Sequence, residues 1–310
     1  MKLLHLSPSI IAGLLLCVPS IPSDGAVYSY SLITANAGWL DQYSLDTSNN
    51  FVGNEACVPT SSTNAMTYLQ NTAPEYFGTA LTGTTYEDWK ATDQTLIGPD
   101  YMDTTPDPDG GTYYNHIPYA LNKYIREDKG FTQVNFGGIY PVDTWGDSPY
   151  DKPSYMLDGV PSGLYFAEWL YQGLATIFSI EYSNGGGHEL FLTGIDWDDA
   201  NNDGIVQESE NALLHFIDPL DPAFYGDDNL PSSGPKVTTG SIYHDDKSGG
   251  LLLSYEQYHG DLPYTSDYEL VTGSHIVGAF TMSVPEPSEY AAAIGILALV
   301  GAAFWRRRRD

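Results

Sequence analysis

Three side chains in this sequence have the types and order needed for nucleophilic catalysis. The first is Cys57. The chain has two cysteines, and Cys17 sits in an N-terminal apolar run that reads as an export signal, so the exported chain keeps one thiol and can form no internal disulfide. Cys57 opens the run "CVPTSSTNAMTYLQN", in which Ala65, Met66 and Leu69 recur at helical spacing and Pro59 falls where a first turn tolerates it. The thiol is thereby placed at a helix N-terminus, where partial positive charge and free N–H groups favour the nucleophilic thiolate. The second is His188, which follows "SNGGG" and begins the apolar run "HELFLTGID". The third is Asp218, which ends the strand-like "ALLHFIDP". If the strands around 189–195 and 213–217 pair as a hairpin, the start of one lies beside the end of the other. His188 and Asp218 are then neighbours, and the carboxylate can fix the orientation of the imidazole. Singly, each residue has a plainer reading, as a buried thiol, a turn histidine and a turn aspartate. Together they describe a Cys-His-Asp triad, with the Cys57 backbone N–H as one donor to a reaction oxyanion. His116 and His215 receive no role.

A second motif lies between the two strands of that hairpin. "DANNDGIVQESE" follows the twelve-residue calcium-loop pattern, with Asp199, Asn201 and Asp203 at positions 1, 3 and 5, Gly204 at 6, the Ile205 carbonyl at 7 and Glu210 at 12. Its flanks are strands rather than long helices, so a structural calcium that staples the hairpin is expected, not a sensor.

Helical spacing is also present in residues 115–127 and 162–173, and strand character in 175–182 and 275–284. Helices early and strands late predict an α+β fold with two lobes, a helical N-terminal one and an antiparallel β-sheet C-terminal one, with the cleft between Cys57 and His188.

The ends have a separate logic. Residues 1–26 have the layout of a signal peptide: Lys2, an apolar core from Ile10 to Val18, and a small-residue exit at "SDGA". At the other end, "VPEPSEYAAAIGILALVGAAFWRRRRD" covers 284–310, with a short apolar span from Tyr290 to Trp305 and four arginines expected to stay cytoplasmic. The whole chain has 12 basic and 40 acidic residues. Setting aside Lys2 and Arg306 to Arg309, and Asp24, Glu286, Glu289 and Asp310, leaves 7 basic and 36 acidic in 27–283. Such a surface repels nucleic acid and anionic lipid, so no nucleic-acid partner is expected.

Two resemblances follow from these motifs. "CVPTS", "GGGHELFLTGID" and "FIDP", in the order Cys, His, Asp, resemble the papain-like cysteine peptidases, nearest to bacteriocin-leader peptidases and immunoglobulin-degrading streptococcal endopeptidases. The usual motif there is Cys-Gly-Pro-Thr-Ser, and Val58 replaces the glycine. The resemblance implies a two-lobed papain-like fold over 27–283, hydrolysis of a peptide or protein substrate, no organic cofactor, and an upstream oxyanion glutamine. Gln42 in "WLDQYS" matches that glutamine best, and Asn54 is the nearer alternative. The tail from 284 resembles a PEP-CTERM sorting signal. It implies recognition by an exosortase-type enzyme, a stay in the inner membrane through the C-terminal segment until the tail is removed, and then delivery to the cell surface or extracellular matrix. A silent matrix protein and a transglutaminase-like acyltransferase are the alternative readings.

Overall fold

The computed structural model describes residues 25–42, 55–105, 110–146, 150–220, 235–258 and 268–284. Residues 1–24 of the expected signal peptide (1–26), Asn54, and residues 285–310 of the expected sorting tail (284–310) with its apolar span lie outside the described residues. Within the described residues no helix is long and apolar enough to cross a membrane.

The elements in chain order are β1 (Ala26–Ser31), α1 (Cys57–Thr72), α2 (Pro74–Phe77), α3 (Tyr86–Ile97), α4 (His116–Asn122), β2 (Asn135–Tyr140), β3 (Met156–Asp158), α5 (Gly163–Tyr171), β4 (Ala175–Glu181), β5 (Gly187–Asp199), β6 (Leu213–Ile217), β7 (Thr238–His244), β8 (Leu251–Tyr258) and β9 (Tyr268–Ser283). The antiparallel pairings β4–β5, β5–β6, β6–β7, β7–β8, β8–β9 and β9–β4 close a six-stranded barrel. β1 extends β5 beyond the reach of β4, β2 pairs with the last residues of β9, and the short β3 runs parallel to β2.

The expected two-lobed, papain-like α+β fold is therefore corrected. One closed barrel is the frame, and the helices lie against it rather than forming a lobe of their own. A single apolar cluster runs from α1 residues such as Met66 through Phe178 and Leu192 to Met282, so no core divides the chain into two. Nor do strands gather only at the end, since β1 precedes every helix and β2 and β3 precede α5. Such long-range pairing leaves no local signal in the sequence.

The period of two along each strand sorts side chains between the barrel interior and its outer face. Phe178 of β4, Phe216 of β6 and Tyr255 of β8 meet edge-on across the interior, with centroids 5.8 and 5.1 Å apart. On the opposite face of β5, Phe191 meets Tyr68 of α1 at 5.9 Å. Helix α1 is enclosed, with all but three of its 16 residues buried, although many are polar. Each of several buried groups has a specific partner, as burial requires. Thr60 donates to Asp93 (2.8 Å), Ser61 to the Glu189 carbonyl (2.8 Å), and Asn64 exchanges hydrogen bonds with both backbone groups of Leu40 (2.8 and 2.9 Å). Gln70 accepts from Leu81 and Thr82 and donates to the Gly83 carbonyl. These bonds lock the helix in rotation and height, and with it Cys57.

Candidate active site

Cys57 is the first residue of α1, and the residue before it, Ala56, supplies no side-chain cap. The positive end of the helix is thus left to the space beside the thiol. Cys57 is free and partly exposed. Tyr182 and Gly186 form a tight turn, closed by the Tyr182 N–H to Gly186 carbonyl bond (3.0 Å), with φ of +93° at Gly185 and +81° at Gly186. That left-handed backbone is open to glycine at little cost. The turn delivers His188 to the rim of the barrel on the interior-facing side of β5, the side shared by Leu190 and Leu192. Asp218 follows β6 on the side shared by Leu214 and Phe216.

The two ends meet as the hairpin argument requires. His188 Nε2 and Asp218 Oδ1 are 2.8 Å apart, and both side chains are almost fully buried. The same Oδ1 accepts from the Leu220 N–H at 2.8 Å, which anchors the carboxylate. The Cys57 thiol is hydrogen-bonded to the imidazole, and Nε2 is occupied by Asp218, so Nδ1 faces the sulfur. Burial disfavours the charged ring, but Tyr182, Asp218 and Cys57 outweigh it and hold the His188 pKa well above the ordinary histidine range. Below the ring, Gln257 donates to the Tyr182 and Tyr255 hydroxyls at 2.7 Å each, and the Tyr182 ring lies parallel to that of His188 at 6.4 Å.

Cys57 and His188 open onto a cavity of about 490 Å³, walled also by Glu55, Tyr114, Gly111 and the 185–187 turn. Glu189, next to His188, turns to the other face of β5. Burial pushes its carboxyl up to about 8, against the Ser179 hydroxyl that donates to it at 2.5 Å and the nearby His188 charge. It is mostly un-ionised at pH 7.

Gln42 is buried, and its N–H donates to the Pro219 carbonyl at 3.0 Å, which puts it behind the Asp218 turn. It is not among the residues lining the cavity. The sequence reading missed Tyr182, Gln257 and Tyr114. A tyrosine-rich chain offers no local signal that separates these three from the others.

The 199–210 loop joins β5 to β6 at the end of the hairpin away from His188. Asp199 accepts from Asp203 N–H (3.1 Å) and Gly204 N–H (3.0 Å), Asn201 from Asp203 N–H (3.1 Å), and Asp203 from Ile205 N–H (2.8 Å). Asn202 and Gly204 take the left-handed conformation, with φ of +58° and +73°. Oxygen donors of the right type thus share one tight loop. Glu210, however, accepts from the Trp197 indole (2.8 Å), Gln207 N–H (2.9 Å) and Ala200 N–H (3.2 Å). Among the described residues no three His, Cys, Asp or Glu side chains converge as an ion site.

No protein-family model matches the chain, and no curated protein matches it.

Proposed function

We propose that the chain is an exported cysteine peptidase that hydrolyses peptide bonds through Cys57, His188 and Asp218. One observation carries this reading: a buried His188–Asp218 contact of 2.8 Å stands on one side of an imidazole whose other side meets a thiol at an uncapped helix N-terminus. In this reading the sulfur attacks the scissile carbonyl as thiolate, His188 gives a proton to the leaving amine, and the same ring then takes one from the water that opens the thioester. Asp218 holds the ring through both transfers.

Export by residues 1–26, sorting by an exosortase-type enzyme at the tail, and release at the cell surface or matrix are parts of the same proposal, supported by the sequence motifs. Structural calcium at 199–210 is another part, supported by donor spacing and the left-handed residues at 202 and 204. Asp199, Asn201, Asp203 and the Ile205 carbonyl would hold the ion, and Glu210 would have to exchange its N–H partners for it.

The deciding experiment uses fluorescently labelled casein and iodoacetamide. The wild type is expected to cleave casein and to be alkylated at Cys57, while Cys57→Ala loses all cleavage with an unchanged melting temperature. A thiol that resists iodoacetamide at neutral pH, with casein intact, points to a silent surface protein. Incorporation of a primary amine in place of hydrolysis points to an acyltransferase.

A further inference from the structure

An attack on a carbonyl needs donors for the oxygen that becomes negative, and preorganised donors are worth most where water is excluded. The glutamine expected for this task does not line the cavity. Tyr114 does. Its ring stacks on that of Tyr140, with centroids 5.6 Å apart and planes at 23°. Tyr140 is itself fixed: it is fully buried, and its hydroxyl shares a hydrogen bond with Ser179 Oγ at 3.1 Å. Its ring also fills the space beside Gly278, where any Cβ would fall 2.0 Å from ring carbons. The Tyr114 ring is therefore held against a rigid neighbour.

The Tyr114 hydroxyl reaches the Gly187 backbone. A Cβ on Gly187 would stand 2.9 Å from the phenol oxygen, which sets that oxygen one residue from His188. Burial first, and then Glu181, Glu189 and Cys57, push the phenol pKa far above its usual range, so the hydroxyl keeps its proton. Among the described residues nothing accepts a hydrogen bond from it. The reacting centre thus has a fixed O–H donor with no acceptor.

We infer that Tyr114 is a catalytic hydrogen-bond donor, its hydroxyl holding the carbonyl oxygen that becomes negative when Cys57 attacks. The inference rests on the peptidase reading. As the sulfur–carbon bond forms, the carbonyl π pair moves to oxygen, which accepts from the Tyr114 O–H and the Cys57 backbone N–H. When that pair returns, the carbon–nitrogen bond breaks and the amine leaves with the proton of His188. Water then adds to the thioester, giving a proton to His188, and the same oxygen returns to the same donors; when its pair comes back, the carbon–sulfur bond breaks, the carboxylic acid leaves and Cys57 is released as thiolate beside protonated His188. Tyr114 never gives up its proton.

Tyr114→Phe removes one oxygen atom and keeps the stacked ring. For casein cleavage, kcat is expected to fall by about 10²–10³-fold with KM nearly constant, the effect of losing one oxyanion donor. Alkylation of Cys57 by iodoacetamide creates no oxyanion, so its rate and pH profile should not move. A tripeptide aldehyde, which adds reversibly to the thiol and creates one, should bind more weakly by a comparable factor. The inference is overturned if Tyr114→Phe keeps kcat within about threefold, or if alkylation slows as much as cleavage, since the ring would then serve structure alone. A wild type that alkylates at Cys57 but neither cleaves casein nor binds the aldehyde overturns the peptidase reading, and the role of Tyr114 falls with it. A wild type that cleaves, beside a Tyr114→Phe that cleaves equally, overturns only the role of Tyr114.

Discussion

Two histidine–aspartate pairs sit on the β5–β6 hairpin, and their distances alone do not tell them apart. His188 and Asp218 are 2.8 Å apart, and His215 and Asp196 are 2.9 Å apart. Their surroundings differ. Side-chain exposure is 3% and 2% in the first pair and 24% and 52% in the second. The free nitrogen of His188 meets a thiol, whereas Nδ1 of His215 meets the Thr239 hydroxyl at 2.9 Å. Ser29 and His215 together lower the Asp196 pKa, as a solvated surface network does. A register shift between Leu192 and Gly194 separates the two settings. Before it, the even-numbered residues of β5 face the barrel interior. After it, Ile195 is the buried one and Asp196 faces out beside His215. One extra residue in one strand decides which pair is enclosed and which is surface.

The strongest way to break this comparison is to treat the pairs alike. Asp218→Asn should lower kcat for casein by about 10²–10⁴-fold, because the imidazole loses the group that orients and charges it. Asp196→Asn should leave kcat within about twofold and cost less than about 1 kcal/mol of stability, the scale of exposed ion pairs. Steady-state rates and melting curves of both variants suffice, and similar losses in the two would remove the distinction.

A finer probe is Glu189, on the opposite face from His188. A carboxyl raised from an ordinary value to about 8 favours the protonated folded state. The unfolded chain ionises near pH 4.5, so stability is lost as pH rises from there and the penalty is complete above about 8. Glu189→Gln removes the titration. It should therefore raise stability relative to wild type by an amount that grows between pH 5 and pH 9 and reaches a few kcal/mol, at roughly 1.4 kcal/mol per pKa unit. Denaturant melts across that range test it, and a difference independent of pH would show that Glu189 is ionised throughout.

The smallest effect concerns the other end of the hairpin. His188 is the second residue of β5 and Asp199 the last, about 36 Å apart along an extended strand. Chelation of calcium, or Glu210→Gln, is expected to lower the melting temperature by a few degrees and to leave kcat unchanged. Sequence logic alone ties the loop to activity, because His188 and Asp218, the two side chains proposed to act on Cys57, flank the same hairpin. The barrel decouples them, since its mouth is held by β4, β8 and β9 as well. A rate that tracks chelator would restore the link.

The parts of the site legible in sequence are those set by short-range rules. A helix opening at Cys57 follows from spacing around Ala65 and Leu69, and the His188–Asp218 meeting follows from pairing two adjacent apolar strands. The helix at 162–173 is realised as α5, and the strand at 275–284 as part of the longer β9. Helix α3 is marked at its start by the Thr85–Asp88 capping box, a short-range signal of the same kind. What stayed hidden depends on contacts distant in sequence: the closure of β4 on β9, the register shift in β5, and the approach of Tyr114 to Gly187. The polar α1 is also hard to read, because its burial depends on partners such as Asp93 and the Glu189 carbonyl rather than on an apolar stripe.

Barrel closure has a consequence for biogenesis. β4 pairs with its neighbour β5, but its other edge stays open until β9 arrives, and β9 ends at Ser283. The helix bearing Cys57 is pinned by a carbonyl 128 residues downstream. A growing chain therefore displays its thiol long before it has the base, the carboxylate or the wall of the cleft. A chain still being synthesised therefore lacks the assembled site, and the ring of strands around it closes only when β9, the last strand, pairs with β4. Order of assembly is thus written into strand order, because the two strands that close the ring, β4 and β9, lie far apart in the chain.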